Sequence, residues 1–144
     1  AYDRDLDCYY SPGILELQKN GRLIHVDNLI EESLQQVGQP TNELSTALYF
    51  QVPILGGELE LFEKVYEDSD EYLRLPADGI ANRGFADQVC RPRRNILHQP
   101  KTGELVIFAN CYYHRVVPSQ GEKLRITQLC TTYLVNKQIV VAYV

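Results

Sequence analysis

Two ionisable side chains interrupt an otherwise apolar stretch early in the chain, in the segment RLIHVDNL at residues 22–29. If this stretch is a strand, alternate side chains share a face, so His25 and Asp27 point the same way and Val26 points the other way. A dry face penalises charge, and a wet face would make the pair an ordinary surface feature. A third possibility is that the face looks into a cavity that holds a metal ion. Taken alone, the His-x-Asp pattern favours the surface pair.

The second half of the chain places more polar side chains within apolar strands. His114 lies in a predicted strand, and Arg125 and Thr127 lie two residues apart on one face of a later strand. An arginine inside a β-barrel is costly unless it meets an opposite charge, which a bound dicarboxylate would supply through the guanidinium fork. Two histidines and one carboxylate form the facial triad that binds non-haem Fe(II) and leaves positions open for co-substrate and oxygen. The sequence therefore predicts an iron site beside a carboxylate site.

Eight short strands are expected to position these side chains. Glycine, proline and asparagine separate the strands, and Asn20-Gly21 is a strong hairpin signal between two apolar runs. Helices do not alternate with the strands, so the pattern indicates an all-β sandwich, barrel or jelly roll with one minor helix at 29–36. The predicted strands are 14–17, 22–27, 45–52, 58–62, 104–109, 112–117, 124–134 and 138–144.

A length of 144 residues favours a single domain over 1–144. The segment 63–98 is too long for an ordinary connection in a compact domain, which predicts a long insert or lid. His98 is expected to be a surface loop histidine rather than a substrate contact. Little sequence precedes the first predicted core strand, which suggests a trimmed catalytic core.

Composition excludes several classes of partner. A net charge of −5 argues against nucleic-acid binding, and the basic cluster of Arg91, Arg93 and Arg94 is expected to be a solvated loop. No apolar run approaches the ~20 residues that span a bilayer, so no membrane partner is expected. The four cysteines are scattered without a C-x-x-C pair, which favours reduced thiols in a cytoplasmic protein.

The order and spacing of several segments resemble the Fe(II)/2-oxoglutarate-dependent oxygenases, and most closely their prolyl-hydroxylase branch. The matching segments are CYYSPG (8–13), HVDN (25–28), STALYFQ (45–51), GGELELF (56–62), PKTGELVIF (100–108), His114 and RIT (125–127). The resemblance implies a double-stranded β-helix, which is a jelly-roll or cupin-like core.

The resemblance also implies roles for individual residues. It implies that the iron ligands are His25, Asp27 and His114. It further implies that Arg125 pairs with the distal carboxylate of 2-oxoglutarate and that Thr127 and Tyr49 hydrogen-bond to the same group. Tyr10, in preference to Tyr9, is expected to line the cavity from the first strand.

The activity that this resemblance implies is that of an Fe(II)- and 2-oxoglutarate-dependent dioxygenase. Such an enzyme would use O₂ to hydroxylate an unactivated C–H bond of an amino-acid, peptidyl (including prolyl) or related small-molecule substrate, with release of succinate and CO₂. Asp27 argues against a halogenase, because relatives that halogenate leave the carboxylate position empty for chloride.

Two alternatives stay open from the residues alone. One is a cupin-like metal enzyme that does not use 2-oxoglutarate, which would be favoured if Arg125 proved to be exposed or tied to an internal acid. The other is a non-catalytic β-sandwich binding module, which would be favoured if the three expected ligands lay far apart.

Overall fold

The computed structural model describes residues 2–3, 8–9, 14–27, 43–76, 84–135 and 138–142. The strands in these residues are β1 (Tyr2–Asp3), β2 (Cys8–Tyr9), β3 (Ile14–Gln18), β4 (Arg22–His25), β5 (Glu43–Gln51), β6 (Leu59–Val65), β7 (Asn95–His98), β8 (Leu105–Ala109), β9 (Tyr112–Val116), β10 (Arg125–Val135) and β11 (Gln138–Ala142). Two short 3₁₀ helices cover Asp68–Leu73 and Asp87–Cys90. The predicted helix at 29–36 and Tyr10 lie outside the described residues.

Two antiparallel sheets carry the fold. The larger sheet has the order β11-β10-β5-β8, and β3 also pairs with β10, while the smaller sheet has the order β4-β9-β6-β7. A separate two-stranded ribbon joins β1 and β2. The all-β prediction is confirmed.

The long strand β10 organises the larger sheet, because β5 pairs along one of its edges while β3 and β11 share the other. Ser45, Ala47 and Tyr49 alternate along β5 on the buried face that looks toward the smaller sheet. The opposite face is apolar but open, with Leu17 on β3 and Phe50 on β5 each at least half exposed. The inner face of this sheet is therefore where polar side chains are enclosed.

The predicted hairpin at Asn20-Gly21 is wrong. The strands on either side of this turn belong to different sheets, since β3 pairs with β10 and β4 pairs with β9. Gly21 has φ of 70°, and a Cβ at this position would lie 2.4 Å from the carbonyl oxygen of Val116. The turn thus carries the chain from one sheet to the other at a point with no room for a side chain.

The segment 63–98, which was expected to be an insert or lid, packs along the smaller sheet where it is described. An apolar cluster joins it to β4 and β9, and its buried members are Ile24, Phe62, Phe85, Val89, Cys90 and Tyr113. The hydroxyl of Tyr113 donates to Asp70 Oδ2 at 3.0 Å, which ties the first 3₁₀ helix to β9. This contact fixes the strand that carries His114 from its outer side.

The sequence had suggested that His98 lies in a loop, but it lies in a strand. It ends β7, a strand that was not predicted, and pairs with Leu59 of β6. Its side chain is half-buried, and its Nε2 lies 3.2 Å from Glu104 Oε2. The basic residues Arg91, Arg93 and Arg94 are exposed, as expected. Among the described residues, no helix has the length and apolar character needed to cross a membrane.

Candidate metal centre and co-substrate pocket

Two histidines face each other across adjacent strands of the smaller sheet. His25 ends β4 and is paired with His114 of β9, and their ring centroids are 4.2 Å apart. Both side chains are buried. The pairing register of these strands therefore brings together imidazoles that are far apart in the sequence.

Asp27 completes the group from just beyond the end of β4. The strand was predicted to continue to residue 27, but it ends at His25, and the backbone N–H of Asp27 instead donates to the carbonyl of Asn110 at 3.3 Å. The side-chain amide of Asn110 donates to the carbonyl of Asp27 at 3.1 Å. Asn110 in the β8–β9 turn thus sets the position of the residue that carries the carboxylate.

The three side chains converge on one point. His25 Nε2 lies 3.5 Å from Asp27 Oδ1, and His114 Nε2 lies 3.4 Å from Asp27 Oδ2. One ligand atom from each residue lies within 4.8 Å of the others. This is the separation expected of atoms that share a single metal ion. A non-catalytic binding module would have been favoured if the three side chains lay far apart, and they do not.

The hydrogen bonds of the imidazoles determine which ring nitrogen faces the carboxylate. His25 Nδ1 is 2.7 Å from the carbonyl of Leu23, and His114 Nδ1 is 3.0 Å from the carbonyl of Tyr112. A carbonyl only accepts, so each Nδ1 carries a proton, and in the neutral tautomer each Nε2 presents a lone pair to Asp27. Two lone pairs and a carboxylate repel one another unless a cation lies between them. The donor set therefore fits a divalent metal ion.

Burial and neighbouring charge favour the ligating protonation states. Burial, with a smaller contribution from the adjacent His114, lowers the pKa of His25 to about 3, so His25 is neutral at pH 7. Burial alone would raise the pKa of Asp27, but the adjacent His114 and His25 and the hydrogen bond from Ser45 hold it below its ordinary range. Neutral imidazole and ionised carboxylate are the forms that bind metals.

Ser45 contacts the carboxylate from the opposite sheet. Its hydroxyl donates to Asp27 Oδ2 at 2.7 Å. Neither Ser45 nor Asn110 was predicted from the sequence. The alternation of β5 could have identified Ser45, because Ser45 shares a face with Tyr49, which was expected to face the pocket.

The second group of predicted residues is buried in the larger sheet. Arg125 is 2% exposed, and Tyr49 and Thr127 are fully buried. Arg125 Nη1 donates to Gln18 Oε1 at 2.6 Å, and Nη2 donates to the hydroxyl of Tyr49 at 3.3 Å. Tyr49 therefore orients the guanidinium, in addition to any contact that it makes with a ligand.

Two buried polar atoms in this group are left over. Arg125 Nε and Thr127 Oγ1 make no hydrogen bond with any described residue. Buried donors without partners are rare in native proteins and cost about 1–3 kcal/mol each. A carboxylate placed against both atoms would remove that cost, so this group fits the distal carboxylate of 2-oxoglutarate.

Arg125 also has an internal acid nearby. An arginine tied to such an acid would favour a cupin-like metal enzyme that does not use 2-oxoglutarate. Glu16 Oε2 lies 3.7 Å from Arg125 Nη1. That distance is longer than a hydrogen bond, and it leaves Nε without a partner among the described residues. The acid is therefore a neighbour of the guanidinium that does not satisfy its Nε.

One strand connects the two groups. Ser45 contacts Asp27 and Tyr49 contacts Arg125, and both project from the same face of β5. Four residues of strand separate their Cα atoms by about 13 Å. The inner face of the larger sheet thus lines the space between the candidate metal centre and the guanidinium.

Comparison with known proteins decides the family. The family model described as carrier-protein-independent halogenase WelO5 matches residues 14–136. The chain belongs to this family. The WelO5 family lies within the Fe(II)/2-oxoglutarate-dependent oxygenases, so the resemblance to that superfamily is confirmed, and the expected cofactors, Fe(II), 2-oxoglutarate and O₂, are those of the family. The prolyl-hydroxylase branch stays a prediction.

Solved structures show the same fold at low sequence identity. An N-substituted L-amino acid dioxygenase from Burkholderia ambifaria AMMD matches with a TM-score of 0.64 and 12% identity, covering 90% of this chain and 51% of that chain. The same enzyme in complex with alpha-KG matches with a TM-score of 0.63 and 13% identity, covering 89% of this chain and 50% of that one. The present chain therefore spans about half the length of these structures, and the jelly-roll prediction is confirmed. No curated protein sequence matches the chain.

Proposed function

We propose that the chain forms the catalytic core of an Fe(II)- and 2-oxoglutarate-dependent dioxygenase that hydroxylates a small amino-acid-like substrate. The observation that carries this proposal is the convergence of two imidazole Nε2 atoms and one carboxylate within 4.8 Å. His25, Asp27 and His114 would hold the iron. Fe(II) and 2-oxoglutarate, when bound, supply the activation of O₂ that yields succinate and CO₂.

The protein's part in this chemistry is to hold its donor atoms in place. The carbonyls of Leu23 and Tyr112 fix the rings of His25 and His114 with Nε2 directed inward. Ser45 restrains Asp27 through Oδ2. Because these supporting groups lie on regular strands or directly beside them, the ligands would change little when the metal binds.

The buried polar residues of the larger sheet would bind the co-substrate. Arg125 Nε and Thr127 Oγ1 would each donate a hydrogen bond to its distal carboxylate, and Tyr49 would keep the guanidinium oriented. The near-complete burial of these residues excludes bulk water from the ion pair, which strengthens it.

Hydroxylation is proposed in preference to halogenation because of Asp27. The family is described as a halogenase, which favours halogenation. A halide, however, needs a free position on the metal, and here a carboxylate lies within 3.5 Å of both histidines and is hydrogen-bonded to Ser45. Chloride would have to displace an anchored anionic ligand.

The proposed substrate is a free small molecule. The family's description as independent of a carrier protein supports this over a carrier-tethered intermediate. The similarity in fold to a dioxygenase of N-substituted L-amino acids supports an amino-acid-like compound, and peptidyl proline is the next candidate.

The experiment is a product analysis under turnover. The protein would be loaded with Fe(II) and supplied with 2-oxoglutarate, O₂ and chloride, together with a panel of N-substituted amino acids and prolyl peptides. We expect one panel member to gain a single oxygen atom while succinate forms in equal amount. His114→Ala should form no succinate above background, and Glu63→Gln, at an exposed position on β6, should match the unaltered protein. A product with the isotope pattern of chlorine would contradict hydroxylation, and full succinate formation by His114→Ala would contradict the site.

A further inference from the structure

A single carboxylate lies between two arginines at the edge of the co-substrate pocket. Glu16 Oε2 is 3.7 Å from Arg125 Nη1, and the other oxygen, Oε1, is 3.8 Å from Arg22 Nη1. Glu16 projects from β3 opposite Thr127 of β10, so it shares the inner face with the buried polar residues of the pocket. Each oxygen of Glu16 therefore faces a different guanidinium.

The two arginines differ in their surroundings. Arg125 is 2% exposed, whereas the side chains of Glu16 and Arg22 are 22% and 25% exposed. Both ion-pair distances are longer than a direct hydrogen bond, so neither arginine is hydrogen-bonded to the Glu16 carboxylate. Glu16 thus lies between a buried cation and one that reaches solvent.

A buried guanidinium needs a negative partner in every state of the protein. Gln18 and Tyr49 accept hydrogen bonds from Arg125 but carry no charge, so Glu16 supplies the only anion within ion-pair distance of Arg125 among the described residues. A bound dicarboxylate would bring a second negative charge to the same place. Two carboxylates at one guanidinium repel each other, and a second cation within reach of Glu16 relieves that repulsion.

We propose that Glu16 competes with the distal carboxylate of the co-substrate for Arg125, and that Arg22 receives Glu16 when the dicarboxylate binds. This inference rests on the proposed function, because it concerns the carboxylate site of that reaction. Glu16 and Arg22 would thereby set the affinity for 2-oxoglutarate without touching the metal. In this scheme Glu16 determines the affinity for the co-substrate, and Arg22 is a positioning residue that acts through it.

The sign of the effect separates this role from a structural one. Glu16→Gln keeps the shape and hydrogen-bonding capacity of the side chain but removes the competing charge, so 2-oxoglutarate should bind about 3- to 10-fold more tightly. In Arg22→Gln, Glu16 would keep its ion pair with Arg125, because the second cation is missing. Binding of 2-oxoglutarate should therefore weaken by about the same factor. In the double variant the effect of the Arg22 substitution should largely disappear, because its target is gone.

The test is a binding measurement without turnover. The protein would be loaded with Zn(II), which is redox-inert, and titrated calorimetrically with 2-oxoglutarate, with Glu63→Gln as the matched control at an exposed glutamate on β6. Equal or weaker binding by Glu16→Gln would overturn the inference, since a glutamate that only supports Arg125 would lower affinity when replaced.

Failure of this inference is distinguishable from failure of the proposed function. If the unaltered protein binds 2-oxoglutarate and Arg125→Gln removes that binding, the carboxylate site stands whatever Glu16 does. If the unaltered protein and Arg125→Gln behave alike, the carboxylate site itself is wrong, and the role of Glu16 falls with it. Melting curves of each variant without ligand would show that the altered affinities belong to folded protein.

Discussion

The hydroxyl of Ser45 donates a hydrogen bond of 2.7 Å to Oδ2 of Asp27, and this bond joins the two sheets at the candidate metal centre. Asp27 lies beyond the end of β4, where no ladder of strand hydrogen bonds fixes it. Its backbone is held by Asn110 and its carboxylate by Ser45. The ligand from an irregular position thus depends on contacts made by both sheets.

Replacing Ser45 with alanine should weaken metal binding. The Asp27 carboxylate would lose its hydrogen-bond donor, and its side chain could then adopt more rotamers. Fe(II) affinity should therefore fall by about 10-fold or more. Anaerobic competition with a chromophoric chelator measures this. Ser69→Ala, in the exposed part of the first 3₁₀ helix, is the control and should bind Fe(II) as the unaltered protein does. Unchanged affinity in Ser45→Ala would show that the hydrogen bond does not organise the ligand.

Thr127→Val should affect folding stability and co-substrate binding in opposite ways. The buried hydroxyl of Thr127 has no partner among the described residues, so an isosteric apolar side chain should leave the free energy of unfolding unchanged or raise it by about 1 kcal/mol. Affinity for 2-oxoglutarate should fall by about 5- to 10-fold, because one donor to its carboxylate is lost.

Thr46→Val provides the matched control for this substitution. Thr46 lies on the opposite face of β5 and donates to the carbonyl of Cys130 at 3.0 Å. Its replacement should lower stability without changing affinity for 2-oxoglutarate. If Thr127→Val lowers stability and leaves affinity unchanged, Thr127 does not belong to the carboxylate site.

The metal-free protein should lose stability in mild acid because of His25. Burial lowers the pKa of His25 in the folded state from 6.5 to about 3, so below pH 6.5 the unfolded chain binds a proton that the folded chain does not. The free energy of unfolding is therefore highest above pH 6.5 and falls as the pH is lowered toward 3. The decrease between pH 7 and pH 5 should be about 2 kcal/mol. The low pKa of Asp27 adds a further loss only below its ordinary value of 3.8.

Urea unfolding of the chelator-treated protein at pH 7 and pH 5 measures this loss. His25→Gln should show a smaller loss between the two pH values. His98→Gln, which replaces a half-buried histidine beside Glu104, is the matched control and should retain the full loss. An equal loss in His25→Gln and the unaltered protein would assign the acid sensitivity to other groups.

The sequence predicted the parts of the fold and site that follow from strand alternation and residue chemistry. Eight strands were predicted close to their observed bounds, and the inner face of β10 was identified from Arg125 and Thr127. The resemblance to the oxygenases implied His25, Asp27 and His114 as ligands, their donor types suit iron, and the structure brings these three together. The strands and the residues on their inner faces depend on short-range pattern, which one sequence contains.

What the sequence could not predict depends on pairing between distant strands. The turn at Asn20-Gly21 has the composition of a hairpin, yet its strands pair with β10 and β9, which no local signal specifies. The strand that contains His98 was missed because residues 91–97 are exposed and lack an apolar alternation. Glu16 and Arg22 became relevant only when the register of β3 against β10 placed Glu16 opposite Thr127.

The most direct test of the account is anaerobic addition of Fe(II) and 2-oxoglutarate, followed by visible absorption spectroscopy. The unaltered protein should develop the charge-transfer band of 2-oxoglutarate chelated to iron, and so should Glu63→Gln. His114→Ala should not develop it, because only His25 and Asp27 would then remain to hold the metal. A band of undiminished intensity in His114→Ala, or none in the unaltered protein, would contradict the assignment of this centre to iron and 2-oxoglutarate.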